Sequence, residues 1–148
     1  MKLLLDTHAL IWYLEGSLQL PETARVTIDN AENEVLISAV SLWELSIKIS
    51  LGKLKRPLNL STLELAKHLE VLGFLILPIL PTHLDVLSNL PFHHKDPFDR
   101  LLIAQAIAEN IPVLSRDAVF QEYPVATLEW DGVFTDPGLS TEQFEKRQ

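Results

Sequence analysis

The chain has 148 residues, of which 47% are hydrophobic, enough for one domain with a core of its own. It has no cysteine, which excludes a disulfide framework, a thiolate zinc site and a cysteine nucleophile. Twelve basic residues stand against twenty acidic ones, and a net charge of −8 argues against non-specific nucleic-acid binding through clustered lysine and arginine.

Short apolar runs alternate with longer amphipathic stretches, the pattern of an α/β fold with a parallel sheet. Lys2 to Leu5 reads as a first strand buried on both faces. Its apolar start resembles half of a signal peptide, but Asp6 and His8 interrupt it and no small-residue cleavage site follows, so the expectation is a cytoplasmic protein. Thr7 to Leu14 reads as a helix ended near Gly16, and Pro21 to Asn30 as a second, with Pro21 at a tolerated first-turn position. Val35 to Ser38 is a short strand. In Ser41 to Leu51 the alternation of Trp43, Leu45, Ile47, Ile49 and Leu51 has the strand period. The length, the Glu44–Lys48 pair at helical spacing and Gly52 as a stop favour a helix.

Lys48, Lys53, Lys55 and Arg56 form the one notable cationic cluster, equally readable as a solvated helix end. Ser61 to Leu72 carries a Ser61–Glu64 capping box. Phe74 to Leu77 is a strand closed by Pro78, and Thr82 to Leu90 a short helix. The run Phe74 to Leu80 is far short of the roughly 20 residues a membrane span needs. Pro97 to Glu109 is a strong helix, with Asp96 as its N-cap and Asn110 after its end. Pro112 to Leu114 is a strand, Asp117 to Glu122 a helical turn, and Val125 to Leu128 a last strand. Residues 1–130 thus read as one domain, and 131–148 as a polar, loosely held tail.

Four acids recur at informative places. Asp6 ends the first strand and Asp117 lies just past the strand ending at Leu114, so both belong at the carboxyl rim of the sheet, where ligands bind in open parallel sheets. Asp99 opens a helix that feeds the neighbouring strand. Glu44, read on a helix, shares a stripe with Val40, Ile47 and Leu51, and a carboxylate on an apolar face needs a cation or a strong donor. Plainer readings exist for each acid. Asp6, Asp96 and Asp117 suit helix N-caps, Asp99 complements a helix dipole, and Glu44 pairs with Lys48 on the surface. Asp96 keeps its cap reading; three acids at one rim with a fourth on an apolar face exceed what capping explains.

Close carboxylates favour one another's protonation, and a hard divalent cation relieves this. Mg²⁺ takes oxygen ligands and retains waters. No histidine cluster at zinc spacing competes: His93 and His94 are adjacent, His68 and His83 read as ordinary surface residues, and His8 reads as structural. An acid-bound metal suits phosphodiester hydrolysis, because it generates a nucleophile from water and neutralises phosphoryl charge. The hydroxyls of Thr7 and Ser115 stand beside Asp6 and Asp117 and suit orienting a metal water.

Three segments carry a family resemblance. "LLLDTHALIWYL" resembles the opening strand and metal-binding Asp of the PIN-domain family. "SAVSLWELSIKISLGKL" resembles the helix with its Glu, and "DPFDRLLIAQAIAENIPVLSRDAVF" its third and fourth acids. On that match Asp6, Glu44, Asp99 and Asp117 are the catalytic, metal-binding acids, and Asp96 is an additional acid of one bacterial subgroup. The resemblance runs from about Lys2 to Leu128. It implies a three-layer α/β/α sandwich with a central parallel sheet of about four or five strands. It also implies Mg²⁺ or Mn²⁺ and endonucleolytic cleavage of RNA. The subgroup resembles VapC-like toxins of type II toxin–antitoxin pairs, which implies a homodimer silenced by a cognate antitoxin. A basic antitoxin residue among the acids would suit the −8 charge. Trp12, Tyr13 and Trp43 are then either part of a dimer or antitoxin groove or ordinary core.

Other classes fit less well. A phosphatase of the haloacid dehalogenase type needs a second Asp where His8 stands, and no glycine-rich turn follows the first strand as a dinucleotide-binding fold requires. A binding module on the same fold, without catalysis, remains the alternative.

Overall fold

The computed structural model describes residues 1–128, 130 and 134–137. Six strands form one sheet: β1 (Lys2–Leu5), β2 (Glu34–Ser38), β3 (Leu75–Leu77), β4 (Val113–Leu114), β5 (Thr127–Leu128) and β6 (Phe134–Thr135). Six helices accompany them: α1 (Thr7–Glu15), α2 (Glu22–Asp29), α3 (Ala39–Ser50), α4 (Thr62–Val71), α5 (Pro81–Asn89) and α6 (Pro97–Glu109). Short 3₁₀ turns lie at Pro57–Asn59 and Ala118–Glu122.

The strand order is β3-β2-β1-β4-β5-β6, parallel from β3 to β5, with β6 antiparallel on β5. The chain winds outward from β1 to β3, then returns to place β4 on the other side of β1. The order therefore reverses between β1 and β4, which opens a crevice at their carboxyl ends. Among the described residues, one strand lies beyond Trp130, where polar composition predicts no regular element. Its two backbone pairs, Thr127 with Thr135 and Leu128 with Phe134, cover the edge that β5 would otherwise expose.

Period-two alternation divides the sheet between two cores. Leu3 and Leu5 of β1, with Val35 and Ile37 of β2, pack against Ala9 and Leu10 of α1, Ala24 and Ile28 of α2, Leu42 and Leu45 of α3 and Leu65 and Leu69 of α4. Leu4, Leu36 and Val113 face the other way, onto Leu102, Ile103 and Ala106 of α6, with Val86 and Leu87 of α5 beside them. The result is the expected three-layer α/β/α sandwich with five parallel strands.

The ambiguous segment is a helix. Its alternation does not predict burial, since Leu45 is buried while Trp43 and Leu51 are exposed. Leu42 and Leu45 face the core instead, and Gly52 follows with φ of +71°, a conformation that costs glycine little. The Ser61–Glu64 capping box is present in both directions, at 3.2 Å each.

One sequence expectation about histidines fails. His83 is not a surface residue but fully buried, with Nε2 2.7 Å from Glu109 Oε1 and Nδ1 accepting the Leu80 N–H at 3.0 Å. The N-cap of α5 is Leu80, which offers no hydroxyl or carboxylate, and the imidazole satisfies its backbone N–H from the third helical position. His94, set aside because it neighbours His93, contacts one of the four acids.

Truncating Ile103→Ala, wholly buried in the α6 layer, should cost about 2–5 kcal/mol in urea denaturation. Leu63→Ser, two-thirds exposed on α4, should stay within about 0.5 kcal/mol.

Candidate functional site

β1 ends where Asp6 leaves the sheet, and its N–H still bonds the Leu114 carbonyl of β4 at 3.2 Å. Its φ of −73° and ψ of 167° make it the N-cap of α1, where Oδ1 accepts from the Ala9 N–H at 2.7 Å. Oδ2 accepts from the Ser115 hydroxyl, which itself accepts from the Asp117 N–H at 3.0 Å. Asp6 is thus locked to both strands at the reversal of strand order. It is only 5% exposed, and burial pushes its carboxyl up, with the nearby Asp117 adding to the rise. The Ser115 and Ala9 donors and His8 oppose that rise.

Glu44 reaches the same region from α3. It is 6% exposed, and its Oε1 accepts from the Thr7 hydroxyl at 2.9 Å, which also lies 3.0 Å from Ser41 Oγ. Thr7 follows Asp6 directly, so one hydroxyl ties the acid-bearing turn of β1 to the acid-bearing face of α3. The other Glu44 oxygen pairs with Lys48 at 2.5 Å. The i,i+4 pairing read from the sequence is therefore real, yet the glutamate is buried, not on the surface. Lys53, Lys55 and Arg56 are exposed beyond the end of α3.

Asp99 lies in the first turn of α6, capped by Asp96, whose Oδ1 accepts from the N–H groups of Phe98 and Asp99 at 2.9 and 3.0 Å. Asp99 Oδ2 is 3.0 Å from His94 Nε2. Partial burial, then repulsion from Asp96, raise its carboxyl to about 6; Glu44 also raises it, and His94 draws it back. His94 is held in place by its backbone, since the N–H groups of His93 and His94 both donate to the Tyr123 hydroxyl, at 3.1 and 2.9 Å. Buried Arg100 donates to that same oxygen at 3.1 Å. No sequence signal links His94 to Asp99, because His94 precedes the helix.

Asp117 caps the turn that follows, accepting the Val119 N–H at 3.1 Å. Asp6 and Asp117 line one recess of about 230 Å³, with His8, Trp12, Arg116 and Trp130. Glu44 and Asp99 lie outside its lining, and the Glu44 charge bears on Asp99. The structure thus brings the acids together in two pairs, joined through Thr7. Among the described residues, no group of three or more His, Cys, Asp or Glu is arranged to hold a single metal ion. Every one of these carboxylates is turned onto a protein donor.

The donor chemistry nevertheless fits a hard cation. The acids contribute oxygen only, with hydroxyls of Thr7, Ser41 and Ser115 among them, and beyond the effect of burial Asp117 raises Asp6, and Asp96 and Glu44 raise Asp99. Trp12 packs edge-on against Trp130 at 5.1 Å, while Trp43 is 46% exposed and meets Phe98 at 4.8 Å.

Solved structures share this architecture. One is described as VapBC2 from Rickettsia felis bound to a DNA fragment from their promoter. One of its chains matches at a TM-score of 0.67 and 21% identity, covering 88% of this chain and 100% of that one. A chain of DNA-bound VapBC from Salmonella typhimurium matches at 0.66 and 18%, covering 88% and 98%. A chain of FitAcB from Neisseria gonorrhoeae matches at 0.63 and 20%, covering 88% and 99%. At these identities the likeness is one of fold. No curated protein sequence matches the chain. Residues 3–126, from β1 to the threshold of β5, match the PIN domain family, and the chain is a member of it.

Proposed function

We propose that this chain is a Mg²⁺- or Mn²⁺-dependent endoribonuclease, the toxin of a type II toxin–antitoxin pair. The observation that carries the reading is the placement of Asp6. A buried carboxylate with raised proton affinity stands where the strand order reverses, with Asp117 beside it and Glu44 tied on through Thr7. Family membership supports a nuclease, and the likeness to VapBC and FitAcB chains supports the toxin assignment.

Asp6, Glu44, Asp99 and Asp117 would hold the ion. When bound there, it supplies a nucleophile from water near neutral pH and offsets charge on the phosphoryl oxygens. The chain's own residues set the stage. Ser115 and the Ala9 N–H fix the Asp6 rotamer, Thr7 orients Glu44, and Asp96 fixes the first turn of α6 and hence Asp99. Lys48 pairs with Glu44 and His94 hydrogen-bonds Asp99, contacts that a bound cation would have to replace. RNA is the substrate in this reading and a cognate antitoxin the partner, whose basic side chain would meet the acids and suit the net charge of −8. A homodimer in the cytoplasm completes the proposal; among the described residues, no helix is long and apolar enough to cross a membrane.

One observation favours a silent binding module on the same fold, namely that each acid already has a protein partner. Metal binding separates the two readings. Saturating Mg²⁺ at about 100 times its dissociation constant should stabilise the chain by about 2.7 kcal/mol, and Asp6→Asn should abolish that gain. An unchanged melting temperature at millimolar Mg²⁺ and Mn²⁺ would favour the module.

Asp6→Asn, Glu44→Gln and Asp99→Asn should each lower RNA cleavage by at least about 100-fold while leaving the far-ultraviolet dichroism intact. Asp96→Asn should cost less, since an amide oxygen still caps α6. Cleavage retained in any of the first three removes that residue from the site, and complete loss in Asp96→Asn would mean that Asp96, not Asp99, is the third acid.

The acids should also weigh on folding in metal-free protein. Asp99 holds its proton to about pH 6 in the folded chain and to about 3.8 in the unfolded one, so its contribution opposes folding once it ionises. Stability in EDTA should fall as pH rises from about 4 through 6, and Asp99→Asn should remove about 1–2 kcal/mol of that fall, allowing for its partial exposure. Identical pH profiles for the two proteins would show that Asp99 is not under the strain described.

A further inference from the structure

The net charge of −8 is unevenly spread. Residues 45–63, which follow Glu44 directly, hold none of the twenty acids and one-third of the twelve bases, namely Lys48, Lys53, Lys55 and Arg56.

This run starts at the candidate site. Lys48 lies one helical turn past Glu44 and pairs with it at 2.5 Å. From Glu44 to the end of α3 at Ser50 is about 9 Å along the helix axis. There the chain folds back on itself. Gly52 takes φ of +71°, and the Lys53 N–H bonds the Lys48 carbonyl at 2.9 Å, which seats Lys53 against the last turn of α3.

The loop that follows is pinned. Leu54 and Leu60 pack against the core on the α1 side of the sheet, and Pro57 is buried. Leu58 is held at φ of +54°, a conformation that persists in a branched residue only where its surroundings impose it. Between these anchors Lys53, Lys55 and Arg56 are exposed. Among the described residues, none of the three has a carboxylate within ion-pair distance. Arg56 does lower the Glu64 carboxyl, but after the Ser61 N–H and hydroxyl. Three cations thus stand together on a fixed backbone, so seating an anion there orders little chain.

A strand of RNA approaching four carboxylates is repelled by them, and cations on the same helix and its following loop offset that repulsion. Lysine meets phosphate as a point charge and arginine bidentately. A polyanion can lie on both the run and the site, which a single phosphate cannot. We propose that Lys53, Lys55 and Arg56 form a track for the phosphate backbone of single-stranded RNA, which leads along α3 to the acids. Contacts of this kind supply affinity and position and read no bases. The track rests on the nuclease reading for its role, but RNA binding needs no cleavage and is measured apart from it.

The test uses the full chain in EDTA and a fluorescein-labelled single-stranded RNA of about 12 nucleotides, with anisotropy read between about 25 and 200 mM KCl. Lys53→Ala, Lys55→Ala and Arg56→Ala combined should weaken binding about tenfold at low salt. They should also flatten the slope of log affinity against log salt by about 2, which is three phosphate contacts at roughly 0.7 each. Lys53→Arg with Lys55→Arg should keep both values, and so should Lys2→Ala at the amino end of β1. No binding by the unaltered chain, an unchanged slope in the triple variant, or an equal loss in Lys2→Ala would each overturn the track. Oligoglutamate of the same length binding as tightly as the RNA would assign the run to an acidic protein segment and overturn it too.

An RNA-cleavage assay with Mn²⁺ reports on the other reading separately, and there the triple variant should raise KM about tenfold and leave kcat within about twofold. Track-dependent RNA binding without cleavage would sink the nuclease and leave the track; cleavage with unaltered KM in the triple variant would do the reverse.

Discussion

A carboxylate taken out of water must be neutralised, protonated or surrounded by donors, and Asp6 meets that constraint at the centre of the sheet. It is nearly inaccessible, and its hydrogen bonds reach α1 on one side and the strand β4 on the other. Burial raises its proton affinity, and surrounding it by donors is only half achieved, because Asp117 lies near enough to oppose its ionisation. A hard cation would satisfy what the protein leaves outstanding. Ser115 and the turn at Asp117 are ordered around this one side chain.

The fold makes that placement possible through strand order and caps acting together. β1 is central, β4 joins it from the far side, and the crevice between their ends receives residues from sequence positions more than a hundred apart. Three of the acidic residues also serve as N-caps: Asp6 for α1, Asp96 for α6 and Asp117 for the turn that follows β4. Capping and electrostatic clustering are not rival explanations here. Each cap fixes a backbone turn at the rim, and the turn fixes where a carboxylate sits. The same economy appears at Tyr123, whose one hydroxyl accepts from Arg100 and from two backbone N–H groups of the loop that presents His94.

Much of this was legible in the sequence. Lys2 to Leu5 reads as a doubly buried strand because its four residues offer no polar face except Lys2, and Pro97–Glu109 is bounded by Asp96 and Asn110 as capping chemistry requires. The positions of Asp6 and Asp117 follow from strand ends alone. Less legible was what depends on contacts distant along the chain. His83 resembles any exposed histidine until Glu109 on α6 and the Leu80 N–H close on it. His94 has no helical relation to Asp99, and Arg116 acquires meaning only when Trp130 folds beside it. The strand at Phe134–Thr135 is two residues long, and its signal lies in the open edge of β5, not in its own composition.

In the chain alone the acids of the proposed cation site stand as two pairs, joined where Thr7 follows Asp6 and donates to Glu44. Diffraction from crystals equilibrated with MnCl₂, recorded at the manganese absorption edge, tests directly that they form one site. The account predicts an anomalous peak in contact with the Asp6 carboxylate and within coordinating reach of at least two of Glu44, Asp99 and Asp117. In that crystal the Glu44 carboxylate would have left Lys48. No peak at saturating manganese, or a peak elsewhere with Glu44 still on Lys48, would contradict it.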